Sequence, residues 1–282
     1  MVSLNSSHIS LAAASFAVFI WVISIAVIKE LLSELNLFFY LFIRFGSTSL
    51  VLGFPLYTAL KKQVTLKGYF IVLFLCCAGL HVPIQTLAIK VSSISWYISF
   101  MAFSPLCVAI FSGKLNTRIF LALVIAILGA LCFTKSNELN KPLHLYEIAA
   151  LLSSLGTWTL LTTLIKKINI DYTNLEIASL VSFGGFLLSF FLFVSQGFPL
   201  QKINFVLLTK LLFLIIGSPL AYWLFSFGIR KNPFMTIMSQ YMEFIFGILI
   251  GFFWFHESHQ TIQWVGCFFI FVSLILIQNT KE

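Results

Sequence analysis

Arg44, His81 and Glu243 each fall inside a long apolar stretch. On insertion scales a charge at the centre of a membrane helix costs roughly 2.5–3.5 kcal/mol, so such groups need a cavity, a partner or a route to the surface. Glu243 could hold a cationic group or take up a proton; the plain alternative is a neutral acid in a hydrogen bond between helices. Arg44 could grip a carboxylate through two parallel N–H donors or pair with Glu243; it could equally snorkel to an interface or cap a neighbouring helix. His81 is followed by Pro83 and Gln85, and a proline frees a backbone carbonyl that can expose polar backbone to a cavity; a lone histidine within the membrane is nevertheless more often a packed, hydrogen-bonded residue. Pro219 stands near the matching point later in the chain, with Tyr222 and Trp223 just beyond it. Paired interruptions of this kind point to a substrate site at mid-membrane. Trp21, Trp158, Tyr222, Trp223, Gln240 and Tyr241 could line the same cavity, the rings offering their faces to an amine; core packing is the alternative for each. Trp96, Tyr97 and Trp264 lie near the ends of apolar stretches and read as interface anchors. All of these are binding groups, and no set of them composes a catalytic centre.

The elements that position them must be membrane helices. Of 282 residues, 60% are hydrophobic and 9% charged, against about 45–50% and ~25% in soluble domains. A formal charge of +8 sits in short clusters between apolar runs, as in cytoplasmic loops, and no basic helix or zinc-ligand pattern suggests nucleic acid. Cys76, Cys77, Cys107, Cys132 and Cys267 all fall in apolar runs and read as small buried hydrophobes. No Lys or Arg precedes Lys29, so the first run is expected to stay as a span rather than serve as a cleaved signal. His256-Glu257-Ser258-His259 is one residue short of the zinc-protease spacing, and no metal or cofactor is expected. Asp171 is the only aspartate, which excludes a two-aspartate membrane protease, and the chain is not expected to be an enzyme. The absence of a Gly-rich Lys-Ser/Thr loop leaves gradients or exchange as the energy source.

A helix needs about 20 apolar residues to cross the hydrocarbon core. Reading runs between polar breaks gives spans at 9–28, 36–58, 68–89, 93–112, 117–134, 145–165, 175–195, 205–229, 233–255 and 262–278. Loops on the side of both termini would hold Lys61, Lys62, Lys67, Lys114, Arg118, Lys166, Lys167, Arg230 and Lys231. The other side would hold the smaller set Lys29, Lys90, Lys135, Lys141, Lys202 and Lys210. Both termini are therefore predicted to be cytoplasmic, in a multi-pass protein of the cell (inner) membrane.

The chain also aligns with itself. Trp21 to Lys29 matches Trp158 to Lys166, and Arg44-Phe45-Gly46 matches Ser182-Phe183-Gly184. Leu73-Phe74-Leu75 then matches Leu212-Phe213-Leu214, and Ala88-Ile89-Lys90 matches Gly228-Ile229-Arg230. Matches in register and in order indicate two repeats, 1–140 and 141–282. With five spans each, the second must enter the bilayer upside down. The fold class expected is all-α integral membrane, about ten transmembrane helices in two inverted five-helix repeats around a central cavity. Inverted repeats suit alternating access, in which two halves rock about one site.

Several residues carry a family resemblance: Trp21 with Lys29, Arg44-Phe45, and Ser104-Pro105. The strongest segment runs from Tyr241-Met242-Glu243 through Gly247 and Gly251 to Glu257, followed by Gly266. In these the chain resembles the EamA branch of the drug/metabolite transporter superfamily, with Phe244 where the family has proline and His256 where it has glycine. The resemblance implies a basket of ten helices, spans one to four and six to nine lining the cavity, and five and ten bracing it. It also implies transport of amino acids, other metabolites or drugs. The function expected is a secondary transporter of a small polar metabolite, an amino acid or similar zwitterion, because Arg44 and Glu243 offer opposite charges. Protons are the candidate coupling ion. A carrier of a nucleoside-like metabolite such as S-adenosylmethionine is the second reading, and a channel-like or structural membrane subunit the third.

Overall fold

The computed structural model describes residues 2–62, 69–111, 116–133, 143–198, 200–254 and 261–278, and every regular element among them is helical. The first group is α1 (Val2–Glu34), α2 (Leu37–Val51), α3 (Gly53–Lys62), α4 (Tyr69–Val91), α5 (Ile94–Met101), α6 (Ser104–Phe111) and α7 (Thr117–Phe133). The second is α8 (Leu145–Ile168), α9 (Asn174–Ser195), α10 (Phe205–Lys231), α11 (Pro233–Met238), α12 (Met242–Trp254) and α13 (Thr261–Gln278), with a 3₁₀ turn at Ser239–Tyr241 between α11 and α12. Five of these helices are long and apolar enough to cross a membrane, and a sixth is counted if α2 and α3 form one span bent by 76°. The His256–His259 stretch and most of the polar break at 134–142 lie outside the described residues.

Three of the apolar runs are broken helices rather than straight ones. Pro55 stands in the first turn of α3, where its missing N–H is tolerated, but it cannot donate back into α2, so the helix axis turns at Leu52. The run at 93–112 divides at Ala102-Phe103 and the run at 233–255 at the 3₁₀ turn. By contrast α4 and α10 continue through Pro83 and Pro219. Proline at 219 removes the donor to the carbonyl of Ile215; Thr48 Oγ1 of α2 comes within 3.4 Å of that carbonyl while donating to Arg44 O at 2.7 Å.

Helix starts carry local signals. Asn36 Oδ1 accepts from the N–H groups of Phe38 and Phe39 at 2.8 and 3.4 Å. Thr173 and Glu176 form a reciprocal capping box, each side chain accepting from the other's backbone N–H at 3.3 and 2.7 Å. Asn204 caps α10, and Asn232 caps α11 with Pro233 in its first turn. Loss of such a cap costs about 0.5–2 kcal/mol. Asn36→Ala is therefore expected to lower the thermal midpoint of the detergent-solubilised protein, and an unchanged midpoint would remove the cap from the account.

Packing pairs early helices with late ones. α1 lies along α10, α4 along α8 and α9, α2 along α9, and α7 along α13. Two crossings are backbone to backbone. A Cβ built on Gly184 would stand 2.7 Å from Leu75 O, and one on Gly79 would stand 2.9 Å from Gly184 O. At the second crossing a Cβ on Gly129 would meet Gly266 O at 2.8 Å.

The two ends of the bundle are tied differently. At one end, Lys29 Nζ donates to the carbonyls of Ile89, Lys90 and Ser92, closing the C-terminus of α4. Glu30 pairs there with Lys210 at 2.9 Å. At the other end, Arg230 donates to the carbonyls of Asn169 and Tyr172 and to Asn169 Oδ1, and Lys62 pairs with Glu176 at 2.7 Å. These are called below the Lys29 end and the Arg230 end.

Candidate functional site

A narrow cavity lies between α1, α2, α4, α5, α8, α10 and α12. Its wall includes Trp21, Arg44, Gln85, Tyr97, Trp158, Tyr222 and Glu243. Small-molecule sites have mostly apolar walls with a few converging polar groups, and the lining of this cavity has that composition.

Arg44 forms one pole. It is 7% exposed; Nη1 donates to the Tyr40 hydroxyl one turn earlier and Nη2 to Ser218 Oγ of α10. The guanidinium carbon lies 4.8 Å from the Phe45 ring centroid. Fixed at two nitrogens and stacked on a ring, the planar cation has little freedom left. Both tethers are neutral hydroxyls, and among the described residues no carboxylate forms an ion pair with it. Its positive charge therefore remains available to a ligand.

Glu243 forms the other pole. It stands in the first turn of α12, directly after the 3₁₀ turn, where the positive end of the helix dipole favours a carboxylate. Near it on the wall are Tyr97 of α5 and Gln85 of α4, joined by a bond from Gln85 Nε2 to the Tyr97 hydroxyl at 2.9 Å. Tyr97 is 2% exposed, so it is a cavity residue and not the interface anchor that its place near a run's end suggested. The apolar run at 93–112 concealed this, because α5 begins only after Ser93 and its first turn already faces inward.

Aromatic rings cluster at the wall beside these two charges. Trp21 meets Trp158 edge to face at 5.2 Å between centroids and meets Tyr222 at 5.6 Å. Phe225 lies 5.1 Å from Trp21 and 5.8 Å from Trp158. Trp158 Nε1 donates to Gln240 Oε1 at 3.2 Å, which anchors the ring to the 3₁₀ turn.

Three other candidate residues stand apart from the wall. His81 is wholly buried beside Trp158, with ring centroids 5.2 Å apart. Its Nδ1 lies 3.1 Å from Thr157 Oγ1, whose own hydrogen is directed at Ser153 O; Nδ1 is therefore the donor. Tyr241 is fully buried and packs behind the wall. Trp223, expected in the cavity, is 37% exposed and stacks on Phe227 at the outer surface of α10. Successive helix positions point about 100° apart, so with Tyr222 facing inward Trp223 faces out.

No curated protein matches the sequence. A solved crystal structure that is 11% identical matches over 95% of this chain and 96% of its own, with a TM-score of 0.73, a likeness that speaks for the fold alone. The family model of EamA-like transporters matches residues 144–278, which span α8 to the end of α13. The apolar helices and this match agree on a multi-pass membrane protein whose second half, residues 144–278, is similar to the EamA-like transporter family.

Proposed function

We propose that the chain is a secondary transporter that moves a small zwitterionic metabolite by alternating access, driven by a gradient or by exchange. The observation that carries this reading is the cavity wall that Arg44, Glu243 and the rings of Trp21, Trp158 and Tyr222 share. A carboxylate suits Arg44, whose charge lacks a protein counter-ion, and an amine suits Glu243 and the ring faces. The rings also favour a second reading, a nucleoside-like metabolite stacked on Trp21 or Trp158.

The architecture in this reading is ten spans in two inverted halves, with the termini in the cytoplasm and the chain in the inner membrane. The helix pairing supports it. Exchanging each early element for its later counterpart turns the α1–α10 contact into α8–α4, and the α6–α8 contact into α12–α1. The α2–α9 and α7–α13 contacts map onto themselves, as a two-fold axis requires.

The test is uptake by the purified protein in liposomes against a panel of labelled metabolites, with and without a pH gradient. Saturable uptake stimulated by substrate on the far side is expected, and no saturable uptake of any class would end the reading. Glu243→Gln keeps the size of the side chain but removes its charge and its exchangeable proton. It is expected to reduce uptake by ten-fold or more, the order of one lost charged contact, and to flatten the dependence on pH. Uptake by Glu243→Gln with parental rate and pH profile would take Glu243 out of the mechanism.

A further inference from the structure

The cavity runs toward the Lys29 end of the bundle. Ile28 and Ile89, immediately before Lys29 and Lys90, are on its wall, and Trp21 lies two turns below Ile28, about 10 Å at 1.5 Å per residue. There it stops at the layer formed by Trp21, Trp158, Tyr222 and Phe225, whose neighbouring centroids are 5.1 to 6.3 Å apart.

Below that layer the interior is polar again. Thr162 is one turn beyond Trp158 on the same face of α8. It is 0% exposed, and its hydroxyl has no partner. Two turns further, Asn169 Nδ2 donates to the carbonyl of Ser226 at 2.7 Å, and Arg230 closes over Asn169 and Tyr172. Beside them Ser10 Oγ bonds the carbonyls of Gly228 and Asn232 and the Thr236 hydroxyl at 2.8–3.1 Å. A core built only for packing would place aliphatic residues here, since a buried unpaired hydroxyl is unfavourable. Polar groups arranged in line with the cavity, beyond a layer one or two rings thick, have the form of a path that has closed.

We propose that the Trp21–Trp158–Tyr222–Phe225 layer is a gate, and that the closed second half of the path runs beneath it from Thr162 to the Asn169–Arg230 knot. The inference rests on the transport reading for its purpose, while its geometry can be tested without any substrate. Trp21 and Trp158 come from opposite halves of the chain, so a relative tilt of the halves separates their edge-to-face contact. The same tilt withdraws Ser10 of α1 from Gly228, Asn232 and Thr236 at the far end, while the Asn169–Arg230 knot, made within the second half, seals the space beside it. Each closure is then made by contacts that the opposite state lacks, which is what two discrete arrangements need.

The experiment uses the full chain in sealed liposomes with its five native cysteines replaced, and a membrane-impermeant thiol reagent added to one side or the other. Ile89→Cys is expected to react from one face only. Thr162→Cys is expected to be unreactive in the otherwise unchanged chain. Adding Arg230→Gln should expose Thr162→Cys to the face opposite Ile89→Cys, with at least a ten-fold gain in rate. Adding Trp158→Ala should expose it to the same face as Ile89→Cys. Two independent opening variants guard against one that fails to fold, and monodisperse elution in detergent identifies such a failure. Reaction of Thr162→Cys in the unchanged chain from the Ile89 side would overturn the gate, as would silence in both variants. So would exposure by Arg230→Gln to the Ile89 face. If the labelling is as expected and uptake is absent, the transport reading falls and the gate stands. Uptake with the wrong labelling pattern has the reverse meaning.

Discussion

Arg44→Gln is expected to raise the KM for a zwitterionic substrate at least thirty-fold, while leaving the chain folded. Truncating one partner of a desolvated, hydrogen-bonded charge pair costs about 2–5 kcal/mol, which corresponds to roughly thirty-fold at the low end and a few thousand-fold at the high end. Arg44 is placed for such a loss because its guanidinium is stacked on Phe45 and tethered to Tyr40 and Ser218 by neutral hydroxyls. The protein itself leaves the charge uncompensated, so a bound carboxylate would carry most of the interaction. Arg44→Lys keeps the charge but loses the planar fork, and should fall between the parent and Gln. The control is the methyl ester of the same substrate, which has no carboxylate and should be indifferent to the substitution. A parental KM in Arg44→Gln would remove the anion pole. Because Arg44 also joins α2 to α10 through Ser218, the thermal midpoint should be measured alongside, so that a loss of packing is not mistaken for a loss of binding.

Gly184→Val is expected to be the most damaging substitution for stability among the helix-packing residues. A Cβ at that position stands 2.7 Å from the carbonyl oxygen of Leu75 and 2.9 Å from the Ala78 side chain, and Gly79 makes the reciprocal approach. The obstacle is backbone on a neighbouring helix, which cannot swing aside as a flexible side chain can. Overpacking of this kind costs about 1–3 kcal/mol even in softer surroundings. Valine should lower the midpoint well beyond the effect of Asn36→Ala, and Gly184→Ala should lie between. Gly156 offers the contrast. It is inside α8 with nothing within 4 Å of a built Cβ, so Gly156→Ala should stabilise the helix by about 0.5–1 kcal/mol. Equal midpoints for Gly184→Val and Gly156→Ala would show that the α4–α9 crossing is not as close as described.

Hydropathy made the helices legible because a membrane helix must be continuously apolar over its length, and each apolar run falls on helix wherever residues are described. The breaks at Ala102-Phe103 and Ser239–Tyr241 were invisible to it. Hydropathy summed over a whole span passes over the short polar signals beside them, Ser104-Pro105 at the first and Ser239-Gln240 at the second. Pro83 and Pro219 drew attention instead, yet α4 and α10 absorb them. Cost of burial singled out Arg44 and Glu243, since a charge in an apolar run has few places to go, and both stand on the cavity wall. Uncharged Tyr97 gave no such signal. Its role follows from the direction in which one helical turn faces, which a single sequence does not reveal without knowing where the helix begins.

The pairing of early helices with late ones also governs how the protein can be made. During synthesis the stretch up to residue 140 enters the membrane first, when α10, α9 and α13, the main packing partners of α1, α2 and α7, do not yet exist. The apolar faces of those helices meet lipid in the meantime, and the glycine surfaces at Gly79 and Gly129 have no backbone to receive them. Synthesis through α13 is therefore what brings these pairs together, α7 being covered after α1 and α2 because its partner α13 follows α9 and α10 in the chain. A nascent protein arrested before that point is a set of inserted helices awaiting their neighbours, and membrane quality control would meet it in that form.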